Sequence, residues 1–202
     1  GPIMATTAAV VMGSLPRALR ALALVVAGVA AVIVCSYLLA AVVPDVAISF
    51  TSNSEITSRI DPNLFALLTA LGAGAAGAFI TSRAEIADSI GGVAIAISLV
   101  PPLCVVGIAL EQAQYGPAFG ALLLFLTNFL AILLAGGIVF VALGLGTLAH
   151  TPQQAQLRRR GFAVFAAGVL IVAIPLSATS YRAIQSTLDT RRATVVVANW
   201  LE

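Results

Sequence analysis

Long runs of apolar residues alternate with short polar connections along the chain, and this pattern predicts its helices. About 20 consecutive apolar residues cross the hydrocarbon core of a bilayer as an α-helix. By that criterion the sequence predicts one half-length segment and five longer ones, at Pro2–Met12, Ala18–Val43, Asn63–Thr81, Ile90–Leu110, Pro117–Leu148 and Gly161–Thr179. We therefore expect an all-α polytopic membrane protein with about five to six membrane segments.

The composition indicates a lipid bilayer as the main partner. Of the 202 residues, 60% are hydrophobic and only 9% are charged, whereas about a quarter are charged in a soluble domain. The net charge of +2 is too small to indicate a nucleic-acid partner. Cys35 and Cys104 both lie within apolar segments, which favours packing over a disulfide or a metal site. We expect no cofactor.

The arginines predict how the segments are oriented. If the five longer segments all cross, one side collects Arg17, Arg20, Arg83, Arg158, Arg159 and Arg160, and the other collects Arg59, Arg182, Arg191 and Arg192. The positive-inside rule makes the first side cytoplasmic, in a multi-pass protein of the cell inner (plasma) membrane. A re-entrant segment at Ile90–Leu110 would swap the sides that follow it. We expect a transmembrane domain at residues 1–181 and a polar tail at 182–202.

Two adjacent prolines, Pro101 and Pro102, stand in the middle of a membrane-length apolar segment. Neither can donate a backbone hydrogen bond, so the helix is predicted to bend or open. The carbonyls of Ile97 and Ser98 would then lose their normal donors and could coordinate a cation or water. A half-helix beginning beyond Pro102 could turn its free N–H groups towards an anion. A broken backbone in hydrocarbon must be shielded by neighbouring helices or line a wet cavity. A packed proline kink is the alternative to a solute site.

A shift of 100 residues aligns two parts of the chain. It places Pro2 on Pro102, the hairpin Gly13–Arg17 on Ala113–Pro117, and the helix starting at Ala18 on the helix starting at Ala118. We expect inverted three-helix repeats with Pro-broken helices, because an odd number of helices orients two copies oppositely. Residues 1–43 would be a truncated first repeat, 61–149 the second repeat and 161–181 an extra helix. The chain would then be a fragment of a longer protein.

Several apolar motifs resemble those of one prokaryotic membrane family. The motifs are Gly72–Ala78, Gly92–Leu103, Val106–Ile108, Leu122–Asn128 and the opening Gly1–Met4. They resemble the signature of the integral membrane family catalogued as domain of unknown function 389. In that family the opening motif follows a longer helix, and many members carry a further soluble region. The resemblance implies an integral membrane fold and little about chemistry.

The proline positions and their polar neighbours form the predicted solute pathway. Its residues are Pro2, Thr6, Thr7, Ser98, Pro101, Pro102 and Asn128. Thr6 and Thr7 follow Pro2 by about one helical turn. Asn128 is the only strongly polar residue deep within its segment, and its amide could contact a solute or bond a neighbouring helix. Thr127 beside it is expected to bond its own helix.

Charged residues cluster in the turn between the third and fourth long segments. Arg83, Glu85 and Asp88 could form a gate or a proton relay at a cavity mouth. The alternative is a solvated loop in which Asp88 caps the next helix.

No catalytic or metal-binding motif stands in the sequence, so we expect no enzyme activity and no metal. Three functions remain open. The first is a transporter or facilitator with a solute pathway near the Pro-broken helices, carrying an ion or a small solute. The second is a homo-oligomeric ion or small-solute channel, since small residues on several helices favour a homo-oligomer. The third is a membrane scaffold or sensor for a soluble domain outside this fragment.

Overall fold

The protein is helical throughout the part that the computed structural model describes, which comprises residues 1–42, 56, 58–60, 64–83, 88–145 and 152–171. The helices are α1 at Pro2–Val11, α2 at Leu15–Val42, α3 at Leu64–Thr81, α4 at Asp88–Glu111, α5 at Tyr115–Ala142, and α6 at residues 152–171. The prediction of an all-α fold is confirmed.

Three of these helices are long and apolar enough to cross a membrane. They are α2, residues Gly91–Glu111 of α4, and α5, while α1 and α3 are shorter apolar helices. The chain is therefore a membrane protein. The half-length first segment of the sequence pattern corresponds to α1, which has 10 residues.

The predicted and observed ends of two elements differ. Helix α5 ends at Ala142 instead of Leu148, and Gly144 follows with a φ of +87°, a left-handed conformation that an α-helix does not use. Helix α6 begins at residue 152 instead of 161, so it includes Arg158–Arg160. The rest of the predicted last segment and the polar tail at 182–202 lie outside the described residues.

Helix α5 is the most buried of the long helices and α2 is the least. Small residues allow α3 and α6 to approach α5 closely. A Cβ atom at Gly74 of α3 would lie 2.6 Å from the carbonyl oxygen of Ile132, and one at Gly137 would lie 2.9 Å from the ring of Phe162 on α6. The core therefore centres on α5, with Ile132, Leu133 and Phe140 almost completely buried.

Helix α4 runs without interruption through Pro101 and Pro102. Of the two predicted outcomes, a bend or an opening at the prolines, the opening into two half-helices therefore does not occur. A proline removes a hydrogen bond from its helix but does not end the helix if other contacts hold the backbone in place. Ile95, Leu99 and Leu103 belong to the buried core on either side of the pair, and a side chain of α5 replaces one missing donor, as described below.

The hairpin of α1 and α2 and the hairpin of α4 and α5 have matching bounds at a shift of 100 residues. Helix α1 begins at Pro2 and ends at Val11, helices α2 and α5 begin at Leu15 and Tyr115, and each has 28 residues. All the buried residues of α2, which are Ala18, Ala21, Val25, Ser36 and Ala40, correspond to buried residues of α5.

The turns of the two hairpins also share their hydrogen bonds. In the first, the N–H groups of Gly13 and Ser14 donate to the carbonyls of Val10 and Ala9 at 3.0 and 2.8 Å. In the second, the N–H groups of Ala113 and Gln114 donate to the carbonyls of Leu110 and Ala109 at 3.3 and 2.8 Å. Both pairs form the Schellman arrangement that ends a helix with one left-handed residue.

We expect Ala113→Gly to stabilise the protein by about 1 kcal/mol. Ala113 has a φ of +54°, where a Cβ atom costs roughly 1–2 kcal/mol, whereas Gly13 at the corresponding position has a φ of +69° without that cost. Thermal unfolding in detergent micelles would measure the gain. Gln112→Gly is the matched control and should destabilise, because Gln112 has no positive φ. Equal effects of the two substitutions would contradict the assignment of strain to Ala113.

Candidate functional site

An apolar cavity of about 250 Å³ lies among α1, α2 and α4, beside both proline positions. Pro2 lines it directly, and Val100 and Leu103, which flank the proline pair, line it from α4. Gly28 of α2 also lines it, and a Cβ atom there would meet no other atom within 4 Å. Of the predicted pathway residues, Pro2 therefore lines the cavity, whereas Pro101 and Pro102 lie beside lining residues without lining it themselves.

The walls of this cavity offer almost no polar groups. No Asp, Glu, Lys, Arg or His side chain is among its lining residues. The only lining hydroxyl, that of Thr81, donates to the carbonyl of Gly77 at 2.7 Å. A charged guest would lose its hydration here without compensation, so the cavity suits uncharged or apolar molecules.

The amide of Asn128 compensates for the missing donor of Pro102. In an α-helix the N–H group of residue 102 would donate to the carbonyl of Ser98, but proline has no N–H group. The side-chain nitrogen Nδ2 of Asn128 donates to this carbonyl instead, at 3.2 Å. This bond shields the freed carbonyl from lipid and explains how α4 stays helical at this position.

The other half of the same amide has no partner. Asn128 is only 4% exposed, and its oxygen Oδ1 is buried without any hydrogen bond. A buried amide oxygen left unpaired costs about 1–3 kcal/mol. The nitrogen of Asn128 thus forms the predicted bond between helices. The predicted contact with a solute concerns the other polar atom of the side chain, the oxygen Oδ1.

The threonines of the predicted pathway bond their own helices. Thr6 and Thr7 donate to the carbonyls of Pro2 and Ile3 at 2.9 and 3.1 Å, and both side chains are buried. Thr127 donates to the carbonyl of Leu123 at 2.7 Å, as the sequence predicted. None of these three threonines lines the cavity.

The predicted gate is described only in part. Arg83 follows the end of α3, and its guanidinium lies 5.1 Å from the ring centre of Phe79. Asp88 is the first residue of α4 and so lies in its first turn, where a carboxylate interacts favourably with the helix dipole. Glu85 lies outside the described residues, so the gate stays a prediction.

Reciprocal contacts relate the two hairpins around the cavity. A Cβ atom at Gly137 of α5 would lie 3.5 Å from the Thr7 side chain of α1, and a Cβ atom at Gly107 of α4 would lie 2.9 Å from the Tyr37 nitrogen of α2. A shift of 100 residues exchanges these two pairs. Such an exchange is what a two-fold relation between two hairpins produces.

Sequence reasoning missed the α2 wall of the cavity. Its residues Leu24, Val25, Gly28, Val29 and Val32 are apolar and differ in nothing from residues that face lipid. The only signal is Gly28, a glycine inside a helix with no neighbouring atom to explain its lack of a side chain.

The described residues contain no group of three or more His, Cys, Asp or Glu residues close enough to hold a metal ion.

Comparison with known proteins places the chain among uncharacterised membrane sequences. Residues 1–134 match the profile of a family described as a domain of unknown function, DUF389. An uncharacterized protein of Methanocaldococcus jannaschii is 30% identical over 174 residues, which cover 86% of the chain and 53% of the relative. The chain thus spans about half the length of this curated relative. No solved structure matches it.

Proposed function

We propose that this chain, which belongs to the DUF389 family, is a membrane transporter or facilitator whose solute pathway passes the cavity between Pro2 and the Pro101–Pro102 pair. The single observation that carries the proposal is that Pro2 and the residues on either side of the Pro101–Pro102 pair, which a shift of 100 residues aligns with Pro2, line one cavity among α1, α2 and α4. A cavity bounded by several helices within the bilayer is a common location of solute sites.

An inverted repeat would explain this arrangement. The matching Schellman turns and the reciprocal contacts of Thr7 with Gly137 and of Gly107 with Tyr37 support a two-fold relation between the hairpins. Three helices per repeat would orient the two copies oppositely in the membrane, as in many secondary transporters. The cavity would then lie beside the axis that relates the copies, where alternating access is usually built.

Passive flux fits the chemistry better than proton coupling. Coupled transport by protons usually needs an acidic side chain at membrane depth, and no acidic residue lines the cavity. Hydrolytic or redox chemistry has no supporting group at this site either, so we propose a facilitator and not an enzyme. The arginine distribution favours the inner (plasma) membrane, with multiple passes. A homo-oligomer stays a prediction.

A cavity-filling substitution tests the proposal. Gly28→Leu adds a side chain at a residue that lines the cavity, and a Cβ atom at this position meets nothing within 4 Å. We expect protein-dependent solute flux into proteoliposomes to fall about tenfold, the change that ~1.4 kcal/mol in a barrier produces. The measurement compares a panel of uncharged solutes, cations and anions in wild-type and variant protein.

Gly72→Leu is the matched control, because Gly72 of α3 is exposed and also has no atom within 4 Å of an added Cβ. It should leave the flux unchanged. Absence of flux for every solute, in protein shown to be folded, would overturn the proposal and favour the scaffold or sensor alternative.

A further inference from the structure

We infer that Asn128 Oδ1 accepts a hydrogen bond from the transported molecule, and that this molecule is small, uncharged and carries an N–H or O–H donor. The inference rests on the proposed function and adds the class of substrate to it. It starts from the side chain of Asn128, which is only 4% exposed. Its nitrogen Nδ2 has a hydrogen-bond partner, and its oxygen Oδ1 has none.

The orientation of this amide is fixed by its partner. The Ser98 carbonyl can only accept a hydrogen bond, so the atom 3.2 Å from it must be the NH₂ group of Asn128 and not its oxygen. The Oδ1 atom is therefore directed away from the Ser98 carbonyl. Turning the amide over would set two oxygens against each other, so this acceptor stays available to a guest.

The polar groups at this level of α4 and α5 are hydrogen-bond acceptors. Besides Asn128 Oδ1, the carbonyl of Ile97 lacks its helical donor, because the nitrogen of Pro101 carries no hydrogen. Since α4 is continuous, the N–H groups beyond Pro102 point at carbonyls of their own helix instead of forming an open helix N-terminus. An anion would therefore meet oxygens where it needs donors.

A metal cation would also be held poorly. Cations that shed water need several oxygen ligands to replace their hydration shell. Asn128 Oδ1 is the only buried side-chain oxygen or nitrogen without a partner among the described residues, and the Ile97 carbonyl adds one further oxygen. No acidic side chain lines the neighbouring cavity to balance a positive charge. An uncharged donor requires one acceptor and an apolar surrounding, and both are present.

Ser98 and Asn128 are not among the residues that line the cavity, but each has a lining residue within one turn of its own helix. Ser98 precedes Leu99, and Asn128 follows Phe125 by about one helical turn; Leu99 and Phe125 both line the cavity. The ring of Phe125 stacks on that of Phe129 with centroids 5.8 Å apart. A molecule that moved from the apolar cavity towards α5 would thus meet the amide of Asn128 among aromatic and aliphatic side chains.

The selectivity of wild-type protein tests the inference directly. Proteoliposomes would be assayed by stopped-flow light scattering for urea and glycerol, and by ion-sensitive dyes for potassium, chloride and nitrate. We expect protein-dependent flux of urea or glycerol and none of the three ions. Flux of ions alone would overturn the inference while leaving the proposed function standing. Flux of no solute would overturn both.

Two variants assign the selectivity to Asn128. Asn128→Leu should lower urea or glycerol flux about tenfold, the effect of one lost hydrogen bond on a barrier, whereas Thr127→Val, at the next buried position, should change it less than about twofold. If Asn128→Leu fails to fold, Pro102→Ala combined with Asn128→Leu gives the Ser98 carbonyl a backbone donor and still lacks the amide. Unchanged flux in that double variant, relative to Pro102→Ala alone, would overturn the inference.

Discussion

Gly107→Ala is expected to destabilise the protein by about 3 kcal/mol or more, although it adds one methyl group. Gly107 lies where α4 crosses α2, and a Cβ atom there would overlap the hydroxyl of Ser36 and lie 2.5 Å from the carbonyl oxygen of Ile33. Backbone atoms of α2 cannot move aside as a flexible side chain can. Overpacking of this kind typically costs 1–3 kcal/mol or more, and close helix crossings in membranes depend on small residues.

Gly72→Ala on α3 is the matched control for this prediction. Nothing lies within 4 Å of an added Cβ at Gly72, and alanine is about 1 kcal/mol more favourable than glycine inside a helix. The free energy of unfolding, measured with a denaturing detergent in mixed micelles, should therefore fall for Gly107→Ala and rise for Gly72→Ala. A Gly107→Ala protein as stable as the wild type would show that α2 and α4 do not cross at this position.

A double-mutant cycle of Asn128→Leu and Pro102→Ala is expected to give a coupling free energy of about 1–2 kcal/mol. In the wild-type protein Asn128→Leu leaves the Ser98 carbonyl without a donor. With Pro102→Ala present, the backbone N–H of residue 102 donates to that carbonyl. The carbonyl of Ser98 then no longer needs the amide of Asn128 as a donor. Asn128→Leu should then be less destabilising, or even stabilising, because it also removes a buried oxygen without a partner.

The same unfolding measurement determines all four corners of the cycle. Thr127→Val takes the place of Asn128→Leu in a control cycle, since Thr127 bonds Leu123 of its own helix and should not couple to Pro102. Equal costs of Asn128→Leu with and without Pro102→Ala would show that the amide does not compensate for the proline.

The sequence predicted the all-α fold and its apolar helices well, because the length of an apolar run acts locally. It did not predict that α4 stays continuous, because the donor that compensates for Pro102 comes from a residue 30 positions away from Ser98. Proline rules consider only the donors of the helix itself. The sequence showed that Asn128 is a polar residue in the middle of a later segment, but it did not show that the Ser98 carbonyl is its partner.

The threonines and the cavity show two further limits of the sequence. Thr6 and Thr7 resemble solute contacts in a linear pattern, yet a hydroxyl on a helix can always bond the carbonyl one turn back. The cavity is lined by apolar side chains, and an apolar residue facing a void has the same chemistry as one facing lipid. Only the packing of α1, α2 and α4 separates these two environments.

Residues 28 and 128 occupy the same position in their hairpins, yet one is a glycine beside an open space and the other an asparagine with a spare oxygen. The hairpin of α1 and α2 thus provides open space at this position, and the hairpin of α4 and α5 provides a hydrogen-bond acceptor. Two such halves cannot be exchanged for each other, so a chimera carrying either hairpin twice would have two spaces without an amide or two amides without a space. The specialisation of the halves, more than their similarity, is what a single chain gains by containing both.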